Sequence, residues 1–499
     1  MPLQVGWNRQ LSRCFRAACA AIASLVLVGL TLRAGADGGY YTRTAHGSAI
    51  TGAQRDTSLP KGSCAQCHVG HGTAPQDFGL WTANNNDLCY TCHSTSLRSY
   101  FGQTQYNMSG HSISTSSMNG KPVGYCTQCH NPHGSGDVLG AYPHMTSRNE
   151  EDTCFVCHGT GFRPTGAIDM QTQVNRAYSH QVTNQRGRHD SSAESSSVAV
   201  NPNPLLSGSN RHVECADCHN THVAKPGLRA PLSSNIGEML LGTWGVRPTF
   251  STAPWTAPTS YTVEPFQATA TQQEYYLCLK CHSSWAYGSV PPYTTDGTRE
   301  TDQGLEFSPG NPAYHNVTGQ TSSIVPTDDV VFGSSNPPAY VSPWGPNSAM
   351  ACTDCHVSDS SPGSARGPHG SQFNYLLRKR FKAVAGASDN TGRTGTQSDL
   401  CFVCHDFGTY GQGGNGGNRT NFRKDSDNLH LKSDHARAGC FQCHSAVPHG
   451  FKRRHLIVYV SDGPPYYLVG GQGITSYTHA NGGAYSINSC ATTSGCHGD

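Results

Sequence analysis

The pattern C-x-x-C-H occurs nine times in this 499-residue chain, and it constrains the fold more than any other feature of the sequence. A representative copy is Cys126-Thr127-Gln128-Cys129-His130, with a second histidine three residues later at His133. This spacing is the attachment signature of c-type haem, in which two thiols bond the vinyl groups and the adjacent histidine ligates the iron. The chain must therefore fold around several large, covalently fixed apolar groups.

Each copy predicts three attachment residues, namely its two cysteines and its histidine, the proximal ligand. The nine sets are Cys64, Cys67 and His68; Cys89, Cys92 and His93; Cys126, Cys129 and His130; Cys154, Cys157 and His158; Cys215, Cys218 and His219; Cys278, Cys281 and His282; Cys352, Cys355 and His356; Cys401, Cys404 and His405; and Cys440, Cys443 and His444. A tenth haem is predicted on a wider motif, Cys490, Cys496 and His497. The alternative for these two cysteines is a disulfide, which an oxidising compartment would permit.

The composition predicts little regular structure. Hydrophobic residues without glycine make up 35% of the chain, and 56 glycines and 29 prolines are present, whereas globular proteins have about 45–50% apolar residues when glycine is included. We expect mostly coil, with short helices near the motifs, few short strands, and haems supplying the core that the side chains lack. Residues 223–275 and 283–345 are predicted to be loops with occasional strands, and 455–467 a hairpin. The net charge of +2 gives no indication of nucleic-acid binding.

Residues 1–36 have the pattern of a secretory signal peptide. Basic residues precede an apolar run from Ala17 to Leu32, and Ala34-Gly35-Ala36 resembles a cleavage site. The mature protein is expected to begin near Asp37 and to form one multihaem domain over 37–499. The alternative is that the run is retained as a membrane anchor. We expect a secreted protein at the outer cell surface or outside the cell, with the periplasm as the alternative location.

The motifs alternate between two kinds, which we call leaders and followers. A leader is followed by a second histidine, and a follower is not. The leaders begin at Cys64, Cys126, Cys215, Cys352 and Cys440, and each is followed along the chain by one follower. Five leader–follower pairs result, at about 46–125, 126–214, 215–351, 352–439 and 440–499. We number pairs, leaders and followers from 1 to 5 in this order.

Histidines outnumber the predicted sites, since 26 are available for ten irons. Every haem can therefore have two histidine ligands, which implies low reduction potentials because methionine ligation would raise them. The second histidines of the leaders are His71, His133, His222, His369 and His449. Residues three apart on a helical turn lie on one side, so we expect these histidines to ligate a neighbouring haem. The alternative is a surface or propionate-binding role.

The followers require second ligands as well, and a histidine lies between each follower and the next leader. These candidates are His111, His180, His315 and either His430 or His435. His144, His189, His212 and His455 are then surplus. His46, which precedes the first leader, has no preceding follower to serve. We hypothesise that it ligates the C-terminal haem of another copy in a head-to-tail filament, with His479 as the competing internal ligand.

The motifs and their linked histidines resemble those of exported multihaem c-type cytochromes with doubled C-x-x-C-H motifs. Among these, the chain is most similar to the outer-surface Omc-type cytochromes that polymerise into conductive filaments. The resemblance implies a coil fold wrapped round a continuous haem stack, and an intersubunit ligand near the N-terminus that His46 could match.

Three functional hypotheses follow. The first is a non-enzymatic conduit that passes electrons through about ten haems to an extracellular acceptor, as a filament of identical copies loaded by redox partner proteins. The second is a monomeric decahaem shuttle, in the periplasm or in an outer-membrane complex. The third, an oxidoreductase enzyme, is disfavoured because catalysis at iron needs an open coordination position and the histidine supply closes every one.

Overall fold

The computed structural model describes residues 38–69, 77–94, 102–137, 140–183, 213–291, 300–319, 340–345, 348–359, 367–381, 398–411, 420, 422–424, 427–432, 435, 440–468, 473–478 and 490–493. The predicted signal peptide lies outside these residues, as do His71, His189, His212, His479, Cys496 and His497.

The prediction of a mostly coil fold with short helices and strands is confirmed, whereas the continuous haem stack stays a prediction. The helices are α1 Gly38–Tyr41, α2 Asn86–His93, α3 Gln103–Tyr106, α4 Cys126–Cys129, α5 Glu150–His158, α6 Gln171–Val174, α7 Cys215–Cys218, α8 Glu274–Leu279, α9 Ser284–Tyr287, α10 Gln303–Glu306 and α11 Phe407–Tyr410. The strands are β1 Ser117–Met118, β2 Lys121–Pro122, β3 Gly136–Asp137, β4 Gly140–Ala141, β5 Tyr178–Ser179, β6 Trp244–Thr249, β7 Ser260–Pro265, β8 Ala313–Tyr314, β9 Gly370–Ser371, β10 Arg423–Lys424, β11 Asp427–Asn428, β12 Gly450–Phe451, β13 Ile474–Tyr477 and β14 Cys490–Thr492.

Two followers lie in the longest helices, α2 and α5, and their sequences explain why. The Asn85 side chain caps α2 by accepting from the backbone N–H of Asp87 at 2.9 Å. Helix α5 begins with Glu150, Glu151 and Asp152, whose negative charges stabilise a helix N-terminus. Each helix ends at its motif histidine, so helix formation and the placement of the proximal ligand are linked.

Single 3-10 turns account for much of the remaining ordered backbone. Three of them contain leader cysteines, at Cys64–Gln66, Cys352–Asp354 and Cys440–Gln442, and Leu400–Val403 contains follower 4. A second group follows the leaders along the chain, at Asp77–Gly79, Pro143–Met145, Glu238–Leu240, Asn374–Leu376 and Arg454–Leu456. This second group recurs because each of its turns supplies a hydrogen-bond acceptor to the proximal histidine of the leader before it.

The chain divides into two compact units. The first contains residues 1–103 and 119–153, and the second contains 104–118 and 154–499. The division into five leader–follower pairs stays a prediction.

The first unit is held together largely by polar contacts. Gln66, inside leader 1, is 1% exposed. Its side-chain oxygen accepts from the backbone N–H groups of Arg55 and Asp56 at 2.7 and 2.9 Å, and its side-chain nitrogen donates to three carbonyls of the same loop. Among the described residues of this unit, Leu80 is the only buried hydrophobic side chain.

The second unit has a conventional apolar core in the insertion of pair 3. Strands β6 and β7 form an antiparallel hairpin, with Trp244 opposite Pro265 and Thr249 opposite Ser260. Helix α8 packs on β6. Val246, Phe266 and Leu279 are at most 2% exposed and belong to this core. The prediction of loops with occasional strands thus missed a long hairpin.

The hairpin predicted at 455–467 is absent, although every residue of that segment is described. Its apolar residues instead pair with leader 5, because Ser445 donates to the Leu456 carbonyl and Val458 to that of Cys443, at 2.8 and 2.9 Å. A turn at Val460–Asp462 follows. Within the described ranges, no helix is both long enough and apolar enough to cross a membrane.

Candidate haem-binding sites

Each C-x-x-C-H motif folds into one tight turn that brings its histidine back over its first cysteine. The backbone N–H of the motif histidine donates to the carbonyl of that cysteine at 2.8–2.9 Å in His68, His130, His219, His282, His356, His405 and His444. Two intervening residues are the number that such a turn requires. The two thiols and the imidazole therefore lie on one side of the turn, as attachment to a single macrocycle needs.

The second group of 3-10 turns orients the proximal histidines of the leaders. The Nδ1 atoms of His68, His130, His219, His356 and His444 bond the carbonyls of Phe78, His144, Met239, Tyr375 and His455 at 2.7–3.0 Å. This bond fixes the tautomer, since Nδ1 carries the proton and Nε2 keeps its lone pair for a metal. Four of the acceptor residues, Phe78, His144, Tyr375 and His455, have φ between 52° and 62°.

A left-handed residue at these four positions turns its carbonyl toward the histidine ring. The motifs alone do not predict this hydrogen bond, because its acceptor is a backbone carbonyl. At His144 and His455 the carbonyl accepts the bond, and the side chain is not assigned to any iron. A faint signal exists, because each acceptor is followed within two residues by Leu, Thr or Ile that forms a β-bridge with the motif histidine. These bridges join His68 to Leu80, His130 to Thr146, His356 to Leu377 and His444 to Ile457.

Eight of the proximal histidines lie opposite a second histidine of the same unit. The ring-centroid distances are 5.9 Å for His68 and His133, 6.0 Å for His93 and His46, 6.2 Å for His158 and His111, 6.0 Å for His219 and His369, 6.3 Å for His282 and His180, 6.0 Å for His356 and His449, 6.4 Å for His405 and His315, and 6.5 Å for His444 and His430.

These distances fit two imidazoles on opposite faces of one haem iron. A metal–imidazole bond is about 2.0 Å, and the ligating nitrogen lies roughly 1.2 Å from the ring centroid, so two trans imidazoles place their centroids about 6.4 Å apart. The ring orientation fits as well. In the His158–His111 and His444–His430 pairs, the Nδ1 atoms of both rings bond protein oxygens, at 3.2, 3.1, 2.7 and 3.1 Å respectively. Nε2 is thereby left for the metal in each ring.

Burial favours the neutral form of several of these rings, which is the form that ligates iron. It lowers the pKa of His369 and His430 to about 3, and that of His356 and His405 to about 4. The pKa of His46 is lowered too, first by burial and then by the neighbouring His93. His356, His369, His405 and His430 would therefore be unprotonated at neutral pH before any metal binds.

The structure corrects the register of the follower ligands. The sequence order assigns His111, His180 and His315 to the follower that precedes each of them, but they lie beside His158, His282 and His405, which follow them along the chain. The same shift places His46 beside His93 of its own chain. His46 thus has a motif histidine opposite it in its own chain, and the hypothesis of a ligand shared between copies stays a prediction.

Three of the second histidines of the leaders lie beside another leader. His133 of leader 2 is opposite His68 of leader 1, His369 of leader 4 is opposite His219 of leader 3, and His449 of leader 5 is opposite His356 of leader 4. The ring of His222 lies 5.9 Å from that of Tyr106. Of the alternatives His430 and His435, His430 lies opposite His444. The rings of His430 and His435 each contact the Phe422 ring, with ring centroids 5.1 Å apart.

Two short antiparallel ladders deliver the second ligands of pairs 3 and 4. Strand β5 ends just before His180 and pairs with β9, which begins just after His369. Strand β8 ends just before His315 and pairs with β12, which begins just after His449. Each ladder therefore carries the second histidine of both members of one leader–follower pair. A Cβ on Gly370 would meet the Gln173 carbonyl oxygen at 1.9 Å, so glycine is required at this close approach.

The cysteines place the motifs in an order. In the first unit, Cys67 of leader 1 interacts electrostatically with Cys92 of follower 1, and the Cys89 thiol of that follower donates to Cys126 of leader 2. In the second unit the same alternation joins Cys218 to Cys281, Cys278 to Cys352, Cys355 to Cys404, and Cys401 to Cys440. Second cysteines meet within a pair, and first cysteines meet between successive pairs.

Comparison with known families agrees with this interpretation of the motifs. The family model of the doubled CXXCH motif matches residues 58–97, 121–161 and 345–408. No curated protein and no solved structure matches the chain. The doubled motifs point to a multihaem c-type cytochrome with covalently bound haem c. The matched ranges cover both motifs of pairs 1, 2 and 4.

Proposed function

We propose that this protein is an electron-transfer protein whose haem irons are held between two histidines and pass electrons, within each unit, in the order of the motifs. The observation that carries the proposal is the pairing of proximal histidines with second histidines at 5.9–6.5 Å. When bound, c-type haem supplies one-electron transfer at a potential set by its axial ligands and their surroundings. The chain's contribution is to fix both ligands, to orient them through Nδ1, and to hold successive sites together.

The paired histidines favour electron transfer over catalysis at iron. An enzyme of this kind needs one axial position for its substrate, and a histidine on each face leaves none. The short ladders and the buried rings hold the second ligand in place, which opposes its displacement by a small molecule.

The cysteine contacts support a linear path within each unit. Leader 1, follower 1 and leader 2 are neighbours in the first unit, and leader 3, follower 3, leader 4, follower 4 and leader 5 are neighbours in the second. His158 of follower 2, which also belongs to the second unit, interacts electrostatically with His219 of leader 3. Within each unit the path would therefore follow the sequence order of the motifs.

We include a tenth haem in the proposal, at Cys490, Cys496 and His497, with His435 as its second ligand. The register described above assigns the histidine before a leader to the follower of the same pair. Before leader 5 stand His430, which lies opposite His444, and His435. His435 is therefore the ligand for follower 5. Cys490 is held in β14, opposite Tyr477 of β13.

The predicted signal peptide supports a location outside the cytoplasm, with an extracellular acceptor and separate redox partners as the proposed route of the electrons. Because His46 has an internal partner, we propose that each molecule supplies its own axial ligands. Assembly into filaments would then depend on surface contacts rather than on a shared histidine.

The decisive experiment is spectroscopy on the mature holoprotein. We expect the ferric protein to be low-spin by electron paramagnetic resonance, and the absorption spectrum of the reduced protein to be unchanged by carbon monoxide. The mass of the holoprotein compared with that of the polypeptide counts the haems, with ten expected. High-spin iron or a carbon monoxide complex in a substantial fraction of the haems would contradict the proposal.

His46→Ala distinguishes an internal ligand from a shared one. We expect one haem to become high-spin and to bind carbon monoxide, with no change in the size of the particle by electron microscopy. His144→Asn is the matched control, because it keeps the backbone carbonyl and asparagine tolerates positive φ. Dissociation of a polymer in His46→Ala but not in the control would instead favour the head-to-tail ligand.

A further inference from the structure

A fully buried carboxylate stands behind one of the paired histidines. Glu306, at the end of α10, is 0% exposed. Its Oε2 accepts from Nδ1 of His449 at 2.7 Å, and its Oε1 accepts from the Tyr466 hydroxyl at 2.8 Å. The His449 ring lies opposite His356, with 6.0 Å between the ring centroids. Glu306 is thus hydrogen-bonded to the second ligand of the leader 4 site.

The fold holds this carboxylate in place. A Cβ on Gly450 would meet the backbone oxygen of Glu306 at 1.9 Å, so the glycine after His449 allows the two segments to touch. The same backbone oxygen accepts from the Asn311 side chain at 2.9 Å. Phe307 packs on the His449 ring with centroids 4.8 Å apart. These contacts fix the distance between the carboxylate and the imidazole.

The adjacent site has the same kind of partner. Nδ1 of His282, the proximal histidine of follower 3, is hydrogen-bonded to the carboxylate of Glu300, whose side chain is 7% exposed. The two sites are neighbours, because the side chains of Cys278 of follower 3 and Cys352 of leader 4 interact with each other. At the His158 and His444 sites, Nδ1 of the proximal histidine instead bonds a neutral backbone carbonyl, and Nδ1 of the opposite His111 or His430 also bonds a neutral oxygen.

A carboxylate and a carbonyl have different effects on an iron ligand. An anionic acceptor draws the Nδ1 proton toward itself, makes the imidazole a stronger donor to the metal, and adds a negative charge nearby. Both effects stabilise ferric over ferrous iron, and a buried charge acts through a low dielectric. The reduction potential of a site with such a partner is therefore lowered.

We propose that Glu306 and Glu300 give the leader 4 and follower 3 sites lower reduction potentials than the His158 and His444 sites, where the Nδ1 atoms of both histidines bond neutral oxygens. The proposal rests on the electron-transfer function inferred above. A low-potential pair would then lie between leader 3 and follower 4 in the middle of the second unit. These two sites would be the last to accept electrons and the first to lose them. Electron transfer into this pair would therefore be uphill from the sites on either side.

The test is a spectropotentiometric titration of the holoprotein with Glu306→Gln. The glutamine keeps a hydrogen-bond acceptor of the same length and removes the charge. We expect one haem to become easier to reduce, with its ferric-to-ferrous ratio at fixed potential falling about tenfold, which corresponds to about 59 mV for one electron. The low-spin resonance of that site should shift as its ligand weakens. Glu264→Gln in β7 is the matched control, because Glu264 lies near Arg247 at 3.4 Å.

Tyr466→Phe provides a second variant with the opposite sign. Loss of the hydroxyl leaves the Glu306 charge less neutralised, so the same haem should become harder to reduce by a smaller factor. If Glu306→Gln fails to load haem, the potential of Tyr466→Phe alone tests whether Glu306 lowers the reduction potential of the leader 4 site. Titration curves identical to wild type in both variants, with all haems present and low-spin, would overturn the inference while leaving the electron-transfer proposal intact. High-spin iron in the wild-type protein would instead contradict the electron-transfer proposal.

Discussion

The first unit and the pair 3 insertion of the second unit both orient histidine ligands, but they do so with different hydrogen-bond acceptors. In the first unit the proximal histidines bond carbonyls of short left-handed turns, and the buried Gln66 side chain organises the loop before the motif. In the second, a hairpin with an apolar core precedes follower 3, and buried carboxylates stand behind its ligands and those of leader 4. Short connections between motifs can offer only backbone acceptors. A long insertion can bury a charged acceptor such as a carboxylate, and can thereby give one site a different reduction potential from the others.

The largest difference between the two regions should appear in stability. Phe266→Ala removes a side chain that is 1% exposed in the hairpin core and should cost about 3–5 kcal/mol. Leu80→Ala in the first unit, with no other buried hydrophobic among the described residues there, should cost less than about 2 kcal/mol. Denaturation of each holoprotein in urea measures both. Equal losses would mean that the two regions are stabilised in the same way.

A smaller effect should separate the two kinds of acceptor turn. Phe78 has φ of 62° and is 77% exposed, so Phe78→Gly relieves strain and should leave stability unchanged or raise it by up to about 1 kcal/mol. The corresponding turn at Glu238–Leu240 contains no residue with positive φ. Met239→Gly should therefore lower stability by about 1 kcal/mol. Melting temperatures compared under identical conditions test this, and a loss in both variants would show that the left-handed turn is not strained.

The smallest expected effect on stability concerns the salt bridge between Arg453 and Asp462, which follow leader 5 along the chain, and this effect depends on pH. Burial alone would raise the pKa of Asp462, but hydrogen bonds from Arg453, the Tyr459 amide and Lys452 lower it below the usual value. The unfolded carboxyl titrates near pH 3.9, so the stabilisation is present above that pH and is lost as the pH falls through the lower folded value. Asp462→Asn should cost on the order of 0.5–1 kcal/mol at pH 7.

Urea midpoints at pH 7 and pH 3 check this dependence. The gap between wild type and Asp462→Asn should narrow at the lower pH. A gap that stays constant would show that the side chain acts through packing, because packing does not respond to protonation.

The sequence alone determined the chemistry of this protein. C-x-x-C-H contains its own geometry, since two intervening residues close one turn, and the low apolar content required another source of core. The doubling of the motifs could also be read from the sequence, and the family model matches it in pairs 1, 2 and 4. These features are local in sequence, and local spacing is what a sequence records directly.

Only the tertiary structure decided which histidine faces which. His46 pairs with His93, and His111 with His158. Elsewhere a two-residue ladder joins segments more than a hundred residues apart, as β8 just before His315 and β12 just after His449 show. The acceptors of the Nδ1 protons were equally hidden, since they are backbone carbonyls at His144 and His455, or carboxylates at Glu300 and Glu306. Every residue has a backbone carbonyl, so the sequence cannot show which carbonyl accepts the bond. A carboxylate distant in sequence becomes an acceptor only when folding buries it beside a histidine ring.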